Sequence, residues 1–197
     1  MQWWHEPAAF GGTGIVLTHG AGSNGDAPLL RALGDAFAAA GFLVLRYDLP
    51  YREARPHGPP FPAAAARDRQ GIRDAAALMR TRAEKVIAGG HSYGGRQTSM
   101  AAAEDPAMAD ALLLLSYPLH PPRKPDQART AHFAQLRTPA LFVHGTRDPF
   151  GSPEEMRAAV ALIPARHELA IIEGAAHGLD RRHAPEVVER TIGFMSA

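Results

Sequence analysis

The sequence predicts an α/β fold: a mostly parallel, doubly wound sheet of about six strands with helices on both faces and no large cap domain. Two observations predict it. Short apolar runs alternate with segments of helical periodicity along the whole chain, the order that builds crossover units. Residues with chemical potential (His19, Asp48, Ser92, Ser116, Asp148 and His177) then fall at the ends of those apolar runs. In a wound sheet that is the carboxyl edge, where ligands bind.

The elements follow in order. Gly14–Thr18 is an apolar strand running into the Gly-rich segment 19–25. Leu29, Leu30, Leu33 and Phe37 recur at helical spacing over 27–40, and Gly41 stops that helix. Phe42–Tyr47 is the second strand. Asp48-Leu49-Pro50-Tyr51 leaves it, and Pro56, Pro59, Pro60 and Pro62 then predict an irregular loop. Ile72, Ala75, Ala76 and Met79 mark one face of a helix over 64–82, and a strand ending near His91 follows. After a helix beginning near Tyr93, Ala111–Leu115 is a continuous apolar run, suited to a strand covered on both faces. Residues 116–130 form a Pro-rich basic loop. Ala140–His144 and Glu168–Ile172 are the last strands, with helices over 154–162 and 185–195.

Composition bounds the class. A length of 197 residues with 46% hydrophobic content suits one domain over 1–197. The net charge of +1 supplies no global field for nucleic acid or an acidic membrane. With no cysteine, disulfides and thiol catalysis are excluded. No apolar run reaches transmembrane length, and the N-terminal residues lack the pattern of a secretory signal, so the expected location is cytoplasmic.

The segment Val86–Arg96 reads as a buried strand, a sharp turn and a helix start, with Gly90-x-Ser92-x-Gly94 at the turn. This is the pattern of a nucleophile elbow. The serine takes a strained conformation that lifts its hydroxyl clear of the backbone, and glycines let strand and helix pass closely. The bland alternative is a Gly-rich turn with an idle serine. The loop His19-Gly20-Ala21-Gly22 follows a strand and can turn backbone N–H groups toward a ligand. The N–H groups of Ala21 and Tyr93 are the expected oxyanion hole.

A serine hydroxyl needs a neighbouring base, and that base needs an acid to fix its tautomer. His177, in a Gly-rich turn after the last strand, is the candidate base. Asp148, in the turn after the preceding strand, is the candidate acid. His183 is a rival base, and Asp48 is a rival acid whose simpler role is to pair with a nearby arginine. His91 is expected to pack or hydrogen-bond under the elbow, and His19 and His144 to hold loop backbones. Arg96 could touch a substrate anion, with a structural ion pair as the simpler expectation. Arg123, Lys124 and Arg129 could favour an acidic acyl group, with a solvated basic loop as the simpler expectation. Trp3 and Trp4 could cover a sheet edge or join a dimer contact.

On these residues the chain resembles the α/β-hydrolase superfamily over essentially its full length, with the order Ser92, Asp148, His177 matching that superfamily. More narrowly, His19–Gly22, Arg46–Tyr51, Gly90–Arg96 and Leu115–Pro122 resemble a small cap-less hydrolase-like family. That family includes a testis-expressed protein and a subunit of a chromatin acetyltransferase complex. Similarity to dienelactone-hydrolase-type enzymes is looser, because those use cysteine where this chain has Ser92. The resemblance implies a minimal fold and catalysis by Ser92, Asp148 and His177.

The expected function is hydrolysis of a small ester, thioester or lactone through an acyl-enzyme on Ser92, at an open site suited to short-chain substrates. No metal and no organic cofactor are required. The expected partner is a small-molecule ester-type substrate, with no nucleic acid or membrane, on a monomer or homodimer. Acyl transfer to an acceptor other than water stays open. So does a non-catalytic interaction module that binds through loop 117–130 or the Trp3-Trp4 end.

Overall fold

The computed structural model describes residues 1–197. The first half contains β1 (Gln2–His5), β2 (Thr13–Thr18), α1 (Pro28–Ala39), β3 (Leu43–Tyr47), α2 (Pro50–Ala54), α3 (Ala65–Arg80) and β4 (Lys85–His91). The second contains α4 (Tyr93–Glu104), β5 (Ala111–Leu115), β6 (Ala140–Gly145), α5 (Pro153–Val160), β7 (His167–Ile172) and α6 (Ala184–Ser196). The strands form one sheet in the order β1-β3-β2-β4-β5-β6-β7. Only the β1–β3 pair is antiparallel.

Alternation along the strands assigns the two faces. Val16, Leu43 and Leu45 join an apolar layer with Ile72 and Met79 of α3, Ala101 of α4 and Met156 of α5. Ile15, Leu17 and Val44 point the other way, into a layer with Leu30 and Phe37 of α1 and Val187 and Phe194 of α6. Strands covered on both faces must be apolar throughout, which is why β5 reads Ala-Leu-Leu-Leu-Leu and is buried at every position. From β2 the chain steps to β3 on one side, then returns past β2 to β4 on the other. The carboxyl ends of β2 and β4 therefore flank the point where the winding reverses, and a crevice opens there.

Two expectations are corrected. The sheet has seven strands, because Trp3 and Trp4 belong to an edge strand, with Trp3 opposite Arg46 and Trp4 opposite Leu45. Four residues are too few to show a strand period. Tertiary contacts fix this strand instead: the Arg46 guanidinium lies 5.4 Å from the Trp3 ring and donates to His5 Nε2 at 2.7 Å. The segment from Pro50 is also not wholly irregular. Pro50 opens the short helix α2, where a proline costs no hydrogen bond, and Asp68 accepts the Tyr51 N–H at 3.0 Å. No cap covers the sheet edge; the longest connection, 116–139, holds only two 3-10 turns. No helix is long and apolar enough to cross a membrane.

Candidate active site

The elbow forms because three backbones meet at van der Waals distance. A Cβ on Gly90 would lie 2.8 Å from the Gly94 carbonyl carbon, and one on Gly94 2.5 Å from the His19 oxygen. Only glycine permits β4, α4 and the loop after β2 to close on one another. Ser92, between them, has φ 51° and ψ −115°. That left-handed strain turns its side chain out at the sheet edge. Its own N–H donates to Leu115 O at 2.8 Å, locking the turn to β5.

The loop after β2 reaches the same point. A Cβ on Gly20 would lie 3.5 Å from Ser92 Cβ and 3.1 Å from His91 Nδ1. The loop is held from outside by its carbonyls: Tyr51 Oη–H donates to Ala21 O at 2.9 Å, and the buried Arg52 donates to Ser23 O at 2.7 Å and Ala21 O at 3.1 Å. The Ala21 and Tyr93 N–H groups make no hydrogen bond within the chain. Beneath them Asp68 accepts from Tyr93 Oη–H at 2.8 Å, and burial raises its pKa.

Asp148 and His177 arrive on the exits of β6 and β7, which are zipped together. Gly174 N–H donates to Thr146 Oγ1 at 2.8 Å, Arg147 Nε–H to Gly174 O at 2.8 Å, and Arg147 N–H to Ala175 O at 2.9 Å. The Asp148 side chain is fully buried; Oδ1 accepts the Phe150 N–H at 2.9 Å and Oδ2 accepts His177 Nδ1–H at 2.8 Å. With Nδ1 carrying the proton, Nε2 accepts from Ser92 Oγ–H at 2.8 Å. Serine, histidine and aspartate thus form one continuous hydrogen-bonded chain.

The other sequence candidates fall around it. His91 lies beside the elbow, and its Nε2–H donates to His177 O at 2.8 Å. His19 donates to Gly20 O and accepts the Leu49 N–H, while His144 donates to Gly151 O. His183, the rival base, accepts the Asp180 N–H. Asp48 pairs with no arginine, contrary to expectation; it accepts the Gly25 N–H at 2.7 Å and faces the N-terminal amine at 3.5 Å. Arg96 is also a correction: it joins no ion pair, and its buried Nε has no partner. Arg123 and Lys124 are exposed, as a solvated loop requires, but Arg129 is half-buried.

Sequence reasoning missed Phe150, whose ring lies 4.1 Å from the His177 ring at 33°, and the brace of Tyr51, Arg52 and Asp68 behind the loop after β2. Phe150 carried a signal: an aromatic two residues past an Asp-Pro turn can cover whatever that aspartate holds. The brace carried none, because it depends on how α2 and α3 dock. A cavity of about 790 Å³ is lined by Gly20, His91, Leu29, Leu179 and Arg182 but by neither Ser92 nor His177.

Burial pushes His91 down to about 4; burial, then the Arg96 charge, does the same to His132. Both rings are therefore neutral in the fold and protonate near pH ~6.5 when unfolded. Their stabilising effect is complete above that value and is lost as the pH falls from ~6.5 toward ~4. The slope for each ring is at most about 1.4 kcal/mol per pH unit, and less here because both rings are only part-buried. Urea midpoints should fall through this window, and His91→Asn and His132→Asn should each flatten the decline. A midpoint with the same slope in both variants would contradict the assignment.

A family model described as an alpha/beta hydrolase domain matches residues 12–192. The chain belongs to the α/β-hydrolase family. Several solved α/β-hydrolase structures superpose on nearly all of it. Est1E from Butyrivibrio proteoclasticus, solved with ferulic acid bound, matches with a TM-score of 0.77 at 17% identity, over 100% of this chain and 96% of that one. A dienelactone hydrolase from Anabaena variabilis matches at 0.75 and 23% identity, over 99% and 90%. A serine hydrolase homologue from Coxiella burnetii matches at 0.74 and 16%, over 98% and 89%. At these identities the likeness concerns the α/β-hydrolase fold alone.

Proposed function

We propose that this α/β-hydrolase is a serine hydrolase that cleaves small carboxylic esters, thioesters or lactones through an acyl-enzyme on Ser92. The observation that carries this reading is the unbroken chain of 2.8 Å contacts from Ser92 Oγ through the His177 ring to Asp148 Oδ2. Ser92 Oγ attacks the acyl carbon as its proton passes to His177 Nε2. The carbonyl oxygen becomes an oxyanion held by the Ala21 and Tyr93 N–H groups. Collapse expels the alcohol or thiol, which takes the proton from Nε2. Water then repeats the sequence: His177 removes its proton, hydroxide adds to the acyl carbon, and the acid leaves as Ser92 regains its hydrogen. Asp148 stabilises the imidazolium formed in each half, and Phe150 covers one face of the ring. The Tyr51–Arg52 brace keeps the Ala21 carbonyl turned outward, away from the oxyanion.

The test is covalent. A fluorophosphonate probe should label wild-type protein at Ser92, found by peptide mass mapping, and leave Ser92→Ala unlabelled. Hydrolysis of p-nitrophenyl acetate should fall with it by about 10³-fold or more. Folded wild-type protein that takes up no probe and matches Ser92→Ala in hydrolysis would overturn the reading and leave the interaction-module alternative.

A further inference from the structure

Asp148 has a second histidine beside it. His144, near the end of β6, stands four residues before Asp148, and both side chains are fully buried. His144 Nε2 lies 2.8 Å from Gly151 O. A carbonyl oxygen only accepts, so the proton of the neutral ring sits on Nε2. Nδ1 is then a bare lone pair. It has no donor in the chain, and it lies 3.8 Å from Asp148 Oδ2, beyond hydrogen-bond reach. Asp148 is the one carboxylate within 4.0 Å of this ring. A buried acceptor left unpaired next to a second acceptor is costly.

The arrangement has two effects on Asp148. The first is on its turn. Asp148 N–H donates to Gly145 O at 3.2 Å, Phe150 N–H to Asp148 Oδ1 at 2.9 Å, and Gly151 N–H to Asp148 O at 3.5 Å. The last of these is weak, and the 2.8 Å bond from His144 is the shortest tie between β6 and Gly151. The turn it closes carries both Asp148, which holds His177 Nδ1, and Phe150, which covers the His177 ring.

The second effect is on the carboxylate itself. Oδ2 receives the His177 Nδ1–H at 2.8 Å and no other hydrogen bond in the chain, and Oδ1 receives only the Phe150 N–H. A proton on His144 Nδ1 would make that atom a rival donor to Oδ2. By drawing the ring proton to Nε2, Gly151 O removes the rival and leaves the Oδ2 charge to the imidazolium that forms on His177.

We propose that His144 is a positioning residue for Asp148: it fixes the 148–151 turn through Gly151 and keeps Oδ2 free for His177. The proposal rests on the serine-hydrolase reading and adds to it a residue that touches neither the substrate nor the reacting atoms.

Three substitutions separate the two duties. His144→Leu removes both nitrogens and leaves Gly151 O without its donor, so kcat on p-nitrophenyl acetate should fall by about 10- to 100-fold with KM held within about 3-fold. His144→Gln puts an NH₂ where Nε2 stood and no nitrogen where Nδ1 stood, and should recover kcat to within about 5-fold of wild type. His144→Asn is shorter: its NH₂ falls near the Nδ1 position, out of reach of Gly151 O, and donates to Asp148 Oδ2. A carboxylate shared with a second donor holds the His177 imidazolium less tightly, so the acid limb of the kcat/KM profile should move to lower pH by about half a unit or more. His144→Gln should leave that limb in place. A role in stability alone would lower Tm and move neither the limb nor kcat per site. Fluorophosphonate labelling counts the active sites in each preparation, and the Gln and Asn variants decide the matter if His144→Leu does not fold. With Ser92 labelled in wild type, a folded His144→Leu of wild-type kcat, a His144→Gln more than about 10-fold slower than wild type, or an unmoved limb in His144→Asn would overturn the positioning role alone. Failure of Ser92 to label in folded wild type would overturn the hydrolase reading, and this proposal with it.

Discussion

Asp148→Asn is expected to cut ester hydrolysis by about 10⁴-fold while the protein stays folded. The carboxylate is fully buried and has two acceptor duties, to the Phe150 N–H and to His177 Nδ1–H. Asparagine has one acceptor oxygen and one NH₂ donor, so it can satisfy only one of them. If the oxygen stays on the Phe150 N–H, the NH₂ faces His177 Nδ1 and forces that atom to accept. The ring proton then moves to Nε2, pointing at Ser92 Oγ, and Ser92 loses its base. The size and shape of the residue barely change, so Tm should stay within a few degrees. Measuring kcat/KM on p-nitrophenyl acetate checks it, and a loss below about 10-fold would show that Asp148 does not orient the base.

Gly145→Ala should be the most damaging single methyl group. A Cβ there would lie 2.2 Å from Ala175 O and 2.6 Å from the Ala175 carbonyl carbon. Those atoms are backbone, so no rotamer change relieves the clash, and β6 and β7 must separate where Asp148 and His177 leave them. We expect a stability loss of about 3 kcal/mol or more, read from urea midpoints, with hydrolysis falling further than stability. Gly193→Ala is the control. That glycine lies inside α6 with nothing within 4 Å of the added carbon, so alanine should be neutral or add about 0.5–1 kcal/mol. Equal midpoints for the two variants would contradict the assigned packing.

The fold was legible wherever burial dictated composition. Leu112–Leu115 cannot be anything but interior, and the spacing of Leu30, Leu33 and Phe37 leaves one face for α1. Ser92, Asp148 and His177 were legible because a strand end marks a place in the fold before any coordinate is known. What escaped depends on distant partners. β1 needs Arg46, α2 needs Asp68, and Phe150 acquires its role only when the His177 ring arrives beside it. Arg96 was misjudged for a related reason. About half of the arginines in this chain find an acid, and only the surroundings reveal which do not.

Residues 91 and 92, neighbours on one backbone, grip residue 177 at both extremities, one at its carbonyl and the other at the far corner of its ring. The main chain there is pinned by His91, and the ring itself is held by Asp148 at one nitrogen and by Phe150 across one face. On the proposed serine-hydrolase reading, the proton can then pass from nucleophile to departing group across a ring already in place, with no segment of the protein having to open or shut between the two halves of the cycle.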